Sequence, residues 1–290
     1  MPNDHTQLYF NLYYPMNGIV TQLLSMITYG NQFLKTGELP ANYYPDNVAF
    51  KFCNSVNFLH LNTEANNTTT ENIVAVDPTS WFKFLKDENC QELKAFYHPS
   101  EANEQGTPDH KLAGLVGGGG TWLIEAIYPT YSDFWAARWE NNQPNNPNQN
   151  IWAVSYGRTI SGTDTINFRP DVSEVSKGLK AVLTEIKAFA AHHKLTNWAD
   201  IFQNALNVLN GQKPIADFYK DIINETSYSK EALQLVYSAM TAHVFGGMGS
   251  WNDIGFEDRD DNKTYEELSF YLYGYINRGL ISGINSAKLQ

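Results

Sequence analysis

The sequence predicts an α+β N-terminal domain with an antiparallel sheet, followed by an all-α helical-bundle domain. Aromatic and β-branched runs separated by turn residues fill the stretch 121–168, which is the pattern of neighbouring antiparallel strands. From residue 171 onward, apolar residues recur at helical spacing instead. At 290 residues the chain also exceeds the usual size of a single core. We therefore expect one domain over residues 1–170 and a second over residues 171–290.

The first part of the N-terminal domain is predicted to alternate between helices and strands. Apolar residues at helical spacing predict a helix over Asn17–Leu34. Alternation of apolar and polar residues over 48–53 predicts a strand, and a further short strand is predicted over Ile73–Val76. Asp77-Pro78 supplies an N-cap and a first-turn proline, so we expect a helix from there through about Phe96.

The stretch 121–168 is predicted to be an antiparallel meander. Its expected strands are Trp122–Tyr128, Ser132–Glu140, Ile151–Thr159 and Thr165–Arg169. The Asn- and Pro-rich connection Asn141–Asn150 contains no apolar side chain that could pack, and we expect it to be a mobile hairpin loop.

The C-terminal domain is predicted to contain about five helices. The first begins at Asp171, which with Glu174 resembles a capping box. The others are expected at Trp198–Leu209, Ile215–Asn224, Lys230–Val244 and Tyr265–Asn285. The last is apolar around its whole circumference, which indicates burial in the core, and Gly279 and Gly283 would let a neighbouring helix approach closely.

Composition and charge exclude several kinds of partner. The net charge is −11 and the pI about 5.0, so a general affinity for nucleic acid or for an anionic membrane is not expected. A basic partner would suit the chain. Residues 1–150 carry 7 basic and 15 acidic side chains, a net charge of −8, and residues 151–290 carry 13 and 16, a net charge of −3.

The compartment is predicted to be the cytoplasm. The first basic residue is Lys35, so the start of the chain lacks the charged region of a secretory signal, and no apolar stretch reaches the ~20 residues of a membrane span. Cys53 and Cys90 are too few for a disulfide framework or a four-ligand metal site, and free thiols are expected.

Motifs of catalysis and of metal or cofactor binding are missing. Gly117–Gly120 resembles a phosphate-binding loop, but Thr121-Trp122 follows where a P-loop needs Lys and Ser or Thr. Asp258, Asp260 and Asn262 imitate a calcium loop, yet Lys263 replaces its glycine and Ser269 its final glutamate. We therefore expect a protein that is not an enzyme and that uses no metal and no cofactor.

The segment Val244–Phe256, VFGGMGSWNDIGF, allows two interpretations. It can be a structural turn, in which the glycines end a helix and permit a positive φ. It can also be a rigid turn that presents an aromatic side chain and carboxylates to a partner. Together with the meander, this second interpretation gives the candidate binding residues Trp251, Asp253, Glu257, Asp258, Asp260, Asp261, Trp135, Arg138 and Trp139.

The phrase GGMGSWND at Gly246–Asp253 carries a family resemblance. With His193, the run Asn197–Asp200 and the long helix that follows, it resembles a small all-helical bacterial family with a GGMGS-(Phe/Trp)-Asn-Asp signature. The resemblance covers about residues 172–290. The meander Trp122–Tyr156, with Trp135, Arg138, Trp139 and Trp152, looks like the α+β domains of immunity proteins against polymorphic toxins.

The resemblance implies an immunity protein, in particular the antitoxin of a type VI secreted, Rhs-type effector. Such a protein binds its cognate toxin, one to one, and occludes the toxin's active site; no binding role of a single residue is implied. The toxin's chemistry stays open between NAD-consuming or ADP-ribosyl-transferring activity and nuclease activity. The alternatives are a carbohydrate-binding or glycan-processing protein, and an enzyme with dispersed catalytic residues.

Overall fold

The computed structural model describes residues 18–63, 69–100, 106–113, 118–166, 171–214 and 221–288. The helices are α1 (Gly18–Thr36), α2 (Pro78–Asp87), the single turn α3 (Asp109–Leu112), α4 (Val172–His192), α5 (Thr196–Leu209), α6 (Lys230–Thr241) and α7 (Arg259–Ile284). The strands are β1 (Cys53–Thr63), β2 (Thr69–Ala75), β3 (Glu92–His98), β4 (Thr121–Ile127), β5 (Ser132–Asn141) and β6 (Trp152–Thr163).

The strands form one mixed, mostly antiparallel sheet in the order β2-β1-β6-β5-β4-β3. The run β4-β5-β6 is antiparallel and confirms the predicted meander, with 142–151 as its second connection. The predicted antiparallel sheet is confirmed only in part, because β1 and β6 pair in parallel, with Val56 beside Val154 and Phe58 beside Tyr156. Parallel neighbours need a long connection, and here it carries α2, α3 and four other strands.

Two predicted elements before the meander are corrected. The strand expected over 48–53 is instead a 3-10 turn, Val48–Phe50, whose first turn is capped by the Asn47 side chain. The helix expected to run through Phe96 ends at Asp87, because Asn89 takes a left-handed φ of 65° and the chain then enters β3. The N-cap at Asp77 is formed as predicted, and the Ser80 side chain completes a capping box with it.

The later elements differ from the predictions mainly at their ends. The strand expected over Ile151–Thr159 is present as β6 and extends to Thr163. Of the strand expected over Thr165–Arg169, Thr165 and Ile166 are not in a strand, and residues 167–169 lie outside the described part. Residues 215–220 of the helix predicted at Ile215–Asn224 also lie outside it, and 221–224 are not helical. α6 ends at Thr241. α7 begins at Arg259, because the Asp258 side chain caps it by accepting hydrogen bonds from the amides of Asp260 (2.9 Å) and Asp261 (3.0 Å).

α1 and α2 pack against the sheet. The ring of Phe58 lies between Trp81 of α2 (centroids 4.3 Å apart) and Tyr156 of β6 (5.3 Å). α1 approaches β3 closely, because a Cβ at Gly30 would lie 2.5 Å from Leu93 Cδ1. Large aromatic side chains therefore fill the space between the sheet and these helices.

Glycines permit close packing among the C-terminal helices. A Cβ at Gly283 of α7 would lie 2.2 Å from Val236 Cγ2 on α6, and one at Gly279 would lie 3.3 Å from the Ala239 Cβ. These contacts confirm the close approach predicted at the two glycines. A Cβ at Gly178 of α4 would lie 2.0 Å from the Tyr275 ring, so α4 packs against α7 equally closely.

The sheet and the C-terminal helices share one buried apolar cluster, which contains residues of both parts. Polar bonds also cross the junction. Asn285 accepts from the Ala95 amide and donates to the Ala95 carbonyl, both at 2.8 Å. Tyr97 and Tyr273 hydroxyls lie 3.2 Å apart. The helices after residue 171 are present, but a helical bundle standing as a domain of its own is not established. No helix in the described ranges is long and apolar enough to cross a membrane.

Candidate functional site

Trp251 is a core residue beneath the GGMGSWND turn. Its side chain is fully buried, and its indole Nε1 donates to Ser269 Oγ at 2.7 Å. The Tyr265 hydroxyl donates to the Trp251 carbonyl at 2.6 Å, and the rings of Trp198 and Phe202 lie against the indole. The expectation that Trp251 is presented to a partner is therefore wrong, and the indole fixes the turn from below.

The meander candidates do not form one exposed patch. Trp135 is fully buried against Trp81, so its expected contact with a partner is also corrected. Trp139 is partly buried beside Trp152 and the start of α1. Arg138 is exposed and binds Glu71 through two bonds, of 2.6 and 3.0 Å. Among the described residues, none of these contacts reaches the turn.

Three of the five acidic candidates have structural partners. Asp258 caps α7, as described above, and Asp253 accepts a hydrogen bond from the Gly249 amide. Asp261 lies 3.4 Å from His193 Nε2 and pairs with it when the imidazole is protonated. Glu257 and Asp260 are exposed and have no ion-pair partner in the described part of the chain. These two carboxylates are the ones free to meet a partner.

The GGMG turn exposes Met248, a residue that the sequence interpretation passed over. Gly249 has a φ of +87°, and Ser250 Oγ donates to the Gly246 carbonyl at 3.0 Å. The Trp251 amide donates to the Val244 carbonyl at 3.1 Å, which closes the loop at its base. Met248 at the tip has an exposed fraction of 102%. A closed loop with a tip of this kind presents an apolar, adaptable side chain on a fixed support.

α7 also exposes two aromatic side chains, contrary to the predicted burial of its whole circumference. Phe270 and Tyr271 are each 56% exposed, and their rings lie 5.6 Å apart. Leu272 and Ile276 are buried on the core side. An exposed aromatic pair beside a buried face is typical of a surface that contacts another protein.

α3 holds the turn and α7 together. The Asn252 side chain donates to the His110 carbonyl at 2.9 Å, and Lys111 Nζ lies 2.7 Å from Glu266 Oε1. The His110 ring lies 6.2 Å from the ring of Phe270. The GGMGSWND turn and α7 are therefore linked through α3. We use the name α7 surface for a set of exposed or partly exposed side chains on the turn, on α7 and on the segment between them: Met248, Asp253, Glu257, Asp260, Glu266, Phe270 and Tyr271.

His110 is buried beneath this surface with neither ring nitrogen in a hydrogen bond to a described residue. Its Nε2 lies 3.6 Å from Glu266 Oε2, which is too long for a hydrogen bond but close enough for electrostatic attraction. Burial lowers the pKa of His110, and the neighbouring Glu266 opposes that shift. The imidazole is thus neutral at physiological pH.

Negative charge is concentrated around the start of α7. Residues 253–267 contain seven Asp or Glu and two Lys or Arg, a net charge of −5 out of −11 for the whole chain. Within the described ranges no three His, Cys, Asp or Glu side chains are placed to hold a metal ion. A groove of about 410 Å³ lies elsewhere, among Val172, Lys177 and Gln234. The exposed carboxylates of the α7 surface belong to this acidic segment.

Comparison with protein-family models, with curated proteins and with solved structures finds no match to this chain. The family resemblance at Gly246–Asp253 stays a prediction.

Proposed function

We propose that this protein is an immunity protein, which binds a basic antibacterial toxin through the α7 surface and blocks its action without catalysing a reaction. The observation that carries the proposal is the coincidence of two features. Nearly half of the net negative charge lies within residues 253–267, and exposed Met248, Phe270 and Tyr271 flank this segment in the chain.

Each feature supplies a different part of binding. Concentrated negative charge raises the association rate with a basic partner, and salt weakens that attraction. Large exposed apolar side chains supply the area that is buried in the complex, and aromatic residues dominate the energetic centres of interfaces.

The support beneath the surface favours tight binding. Trp251 holds the turn from below and the Asp258 cap fixes the start of α7. A surface that is already ordered loses little conformational entropy when it docks, so more of the interaction energy is retained as affinity. The proposed complex has one copy of each protein.

The experiment is genetic rescue followed by isolation of the complex. Co-expression with the toxin encoded beside this gene should restore growth of a bacterial host, and the two proteins should co-purify at equal stoichiometry. Rescue without a complex would contradict the proposal, because it would point to an enzyme that reverses the damage.

Two sets of variants locate the contact. Phe270→Ala with Tyr271→Ala should weaken binding by about 2 kcal/mol or more, chiefly through faster dissociation. Glu257→Lys with Asp260→Lys should slow association and reduce its dependence on salt. The matched control is Glu38→Lys with Asp46→Lys, which changes the net charge equally at two exposed sites before the sheet. Equal effects of the two charge reversals would remove the α7 surface from the interface.

A further inference from the structure

The two edges of the sheet differ in whether side chains bond to their outward-facing backbone amides and carbonyls. At the β3 edge, Asn285 bonds to both the amide and the carbonyl of Ala95. Asn31 of α1 does the same for Leu93, accepting from its amide at 2.7 Å and donating to its carbonyl at 2.9 Å. Side-chain amides thus occupy the positions that another strand would use, which closes this edge.

At the β2 edge, no side chain in the described part of the chain makes comparable bonds to the backbone of residues 70–75. β2 pairs with β1 on one side, and in the described part of the chain no strand pairs with its other side. Residues Thr69–Ile73 are all exposed, and the large apolar side chains of Ile73 and Val76 are 61% and 62% exposed. β2 contains no lysine and no proline, the residues that commonly protect an edge.

The charge on β2 does not prevent pairing. Its single charged residue, Glu71, is bound by both terminal nitrogens of Arg138 from across the sheet. That bond lowers the pKa of Glu71. The carboxylate therefore stays ionised, and its charge is balanced locally.

We propose that β2 pairs antiparallel with β2 of a second copy of this chain, which joins two six-stranded sheets across a two-fold axis. With the axis at Ile73, this residue faces its own copy, Asn72 faces Val74, and Glu71 faces Ala75. No like charges are then opposite each other, and the exposed apolar side chains become covered.

The neighbouring strands favour this register. Leu59 of β1 pairs with Ile73, and Gly157 of β6 pairs with Leu59, so an apolar row ends at Ile73. A second Ile73 at the axis continues that row into the partner copy. A self-complementary strand of this kind favours a second copy over an unrelated strand. The α7 surface is not part of the proposed dimer interface, and the dimer proposal does not depend on the proposed function.

Sedimentation equilibrium of the purified protein tests the proposal. The wild-type chain should dimerise, and Ile73→Lys should raise the dissociation constant roughly tenfold or more, because two lysines would face each other. Ile160→Lys, at an exposed site on β6, is the matched control and should leave the dimer unchanged. A monomeric wild-type chain, or a dimer that Ile73→Lys does not weaken, would overturn the proposal.

Crosslinking gives a second measurement that does not require a lysine at the edge. Ile73→Cys should join two copies through a short bismaleimide, with little background from the native cysteines. Burial raises the pKa of the Cys53 thiol to about 11 and that of the Cys90 thiol to about 12, so both stay protonated and unreactive at neutral pH. Absence of a crosslinked dimer in the folded variant would also overturn the proposal.

Discussion

Replacement of Trp251 tests whether this side chain is a core residue or a binding anchor. Tryptophan buries about 200 Å² of surface, which at about 25 cal/mol per Å² corresponds to about 5 kcal/mol. Measured losses for tryptophan-to-alanine changes in cores are about 3–5 kcal/mol. Since Trp251 has no exposed surface, we expect Trp251→Ala to lower the free energy of unfolding by about 4 kcal/mol.

A double-mutant cycle with Ser269 separates packing from hydrogen bonding. Trp251→Phe keeps most of the ring but removes Nε1, which leaves the buried Ser269 hydroxyl without its 2.7 Å partner. That loss should cost about 1–3 kcal/mol. Ser269→Ala in the Trp251→Phe background should cost much less than Ser269→Ala alone, because the hydroxyl no longer has a partner to lose. Urea denaturation measures the free energy of unfolding of the wild type, Trp251→Phe, Ser269→Ala and the double variant. A loss below about 1 kcal/mol for Trp251→Ala would refute the assignment of Trp251 to the core.

Substitutions at two glycines of α7 should change the melting temperature in opposite directions. Gly283→Ala should lower it, because the added Cβ would meet Val236 at 2.2 Å, while Gly274→Ala should raise it by removing an unhindered helix glycine. The free energy of unfolding should fall as pH drops from about 7 toward 5. Burial lowers the pKa of His110 in the native chain, so the unfolded chain binds that proton at a higher pH. The free energy of unfolding, measured as a function of pH, should fall less steeply for His110→Phe. Asn285→Ala should lower the free energy of unfolding by about 2 kcal/mol. It should also speed hydrogen exchange of the Ala95 amide, which loses its bond at the β3 edge. Unchanged exchange at Ala95 would contradict the role of Asn285.

The parts of the fold that depend on local pattern could be predicted from the sequence. β4, β5 and the C-terminal helices follow the period of their apolar residues, and the caps at Asp77 and Asp171 are formed. The missed elements depend on distant partners or on single backbone angles. The sequence pattern continues α2 into β3, because the left-handed φ at Asn89 separates the two elements and pairing with β4 then makes the second a strand.

The sequence drew attention to a segment of the candidate site but did not show which of its side chains are exposed. The sequence drew attention to the turn and its acidic run, because glycines and carboxylates are dense there. Trp251 could not be assigned to the core, since an aromatic residue in a turn is compatible with both burial and exposure. Phe270 and Tyr271 could not be assigned to the surface, because α7 is apolar around its whole circumference and the spacing of its apolar residues does not show which face is exposed. The bond of Asn252 to His110 joins residues 142 positions apart, beyond any local pattern.

The bonds of Asn285 to Ala95 join positions that are 190 residues apart. Closing so long a loop costs chain entropy before the contact forms, so folding of this protein should be slow relative to that of a chain with local contacts. The hairpins of β4, β5 and β6 can form early, while the β3 edge stays open until α7 docks. Partly folded chains would therefore expose two unprotected edges where the native chain exposes one. Aggregation during refolding should be most pronounced in that interval, and a peptide that mimics the end of α7 should reduce it.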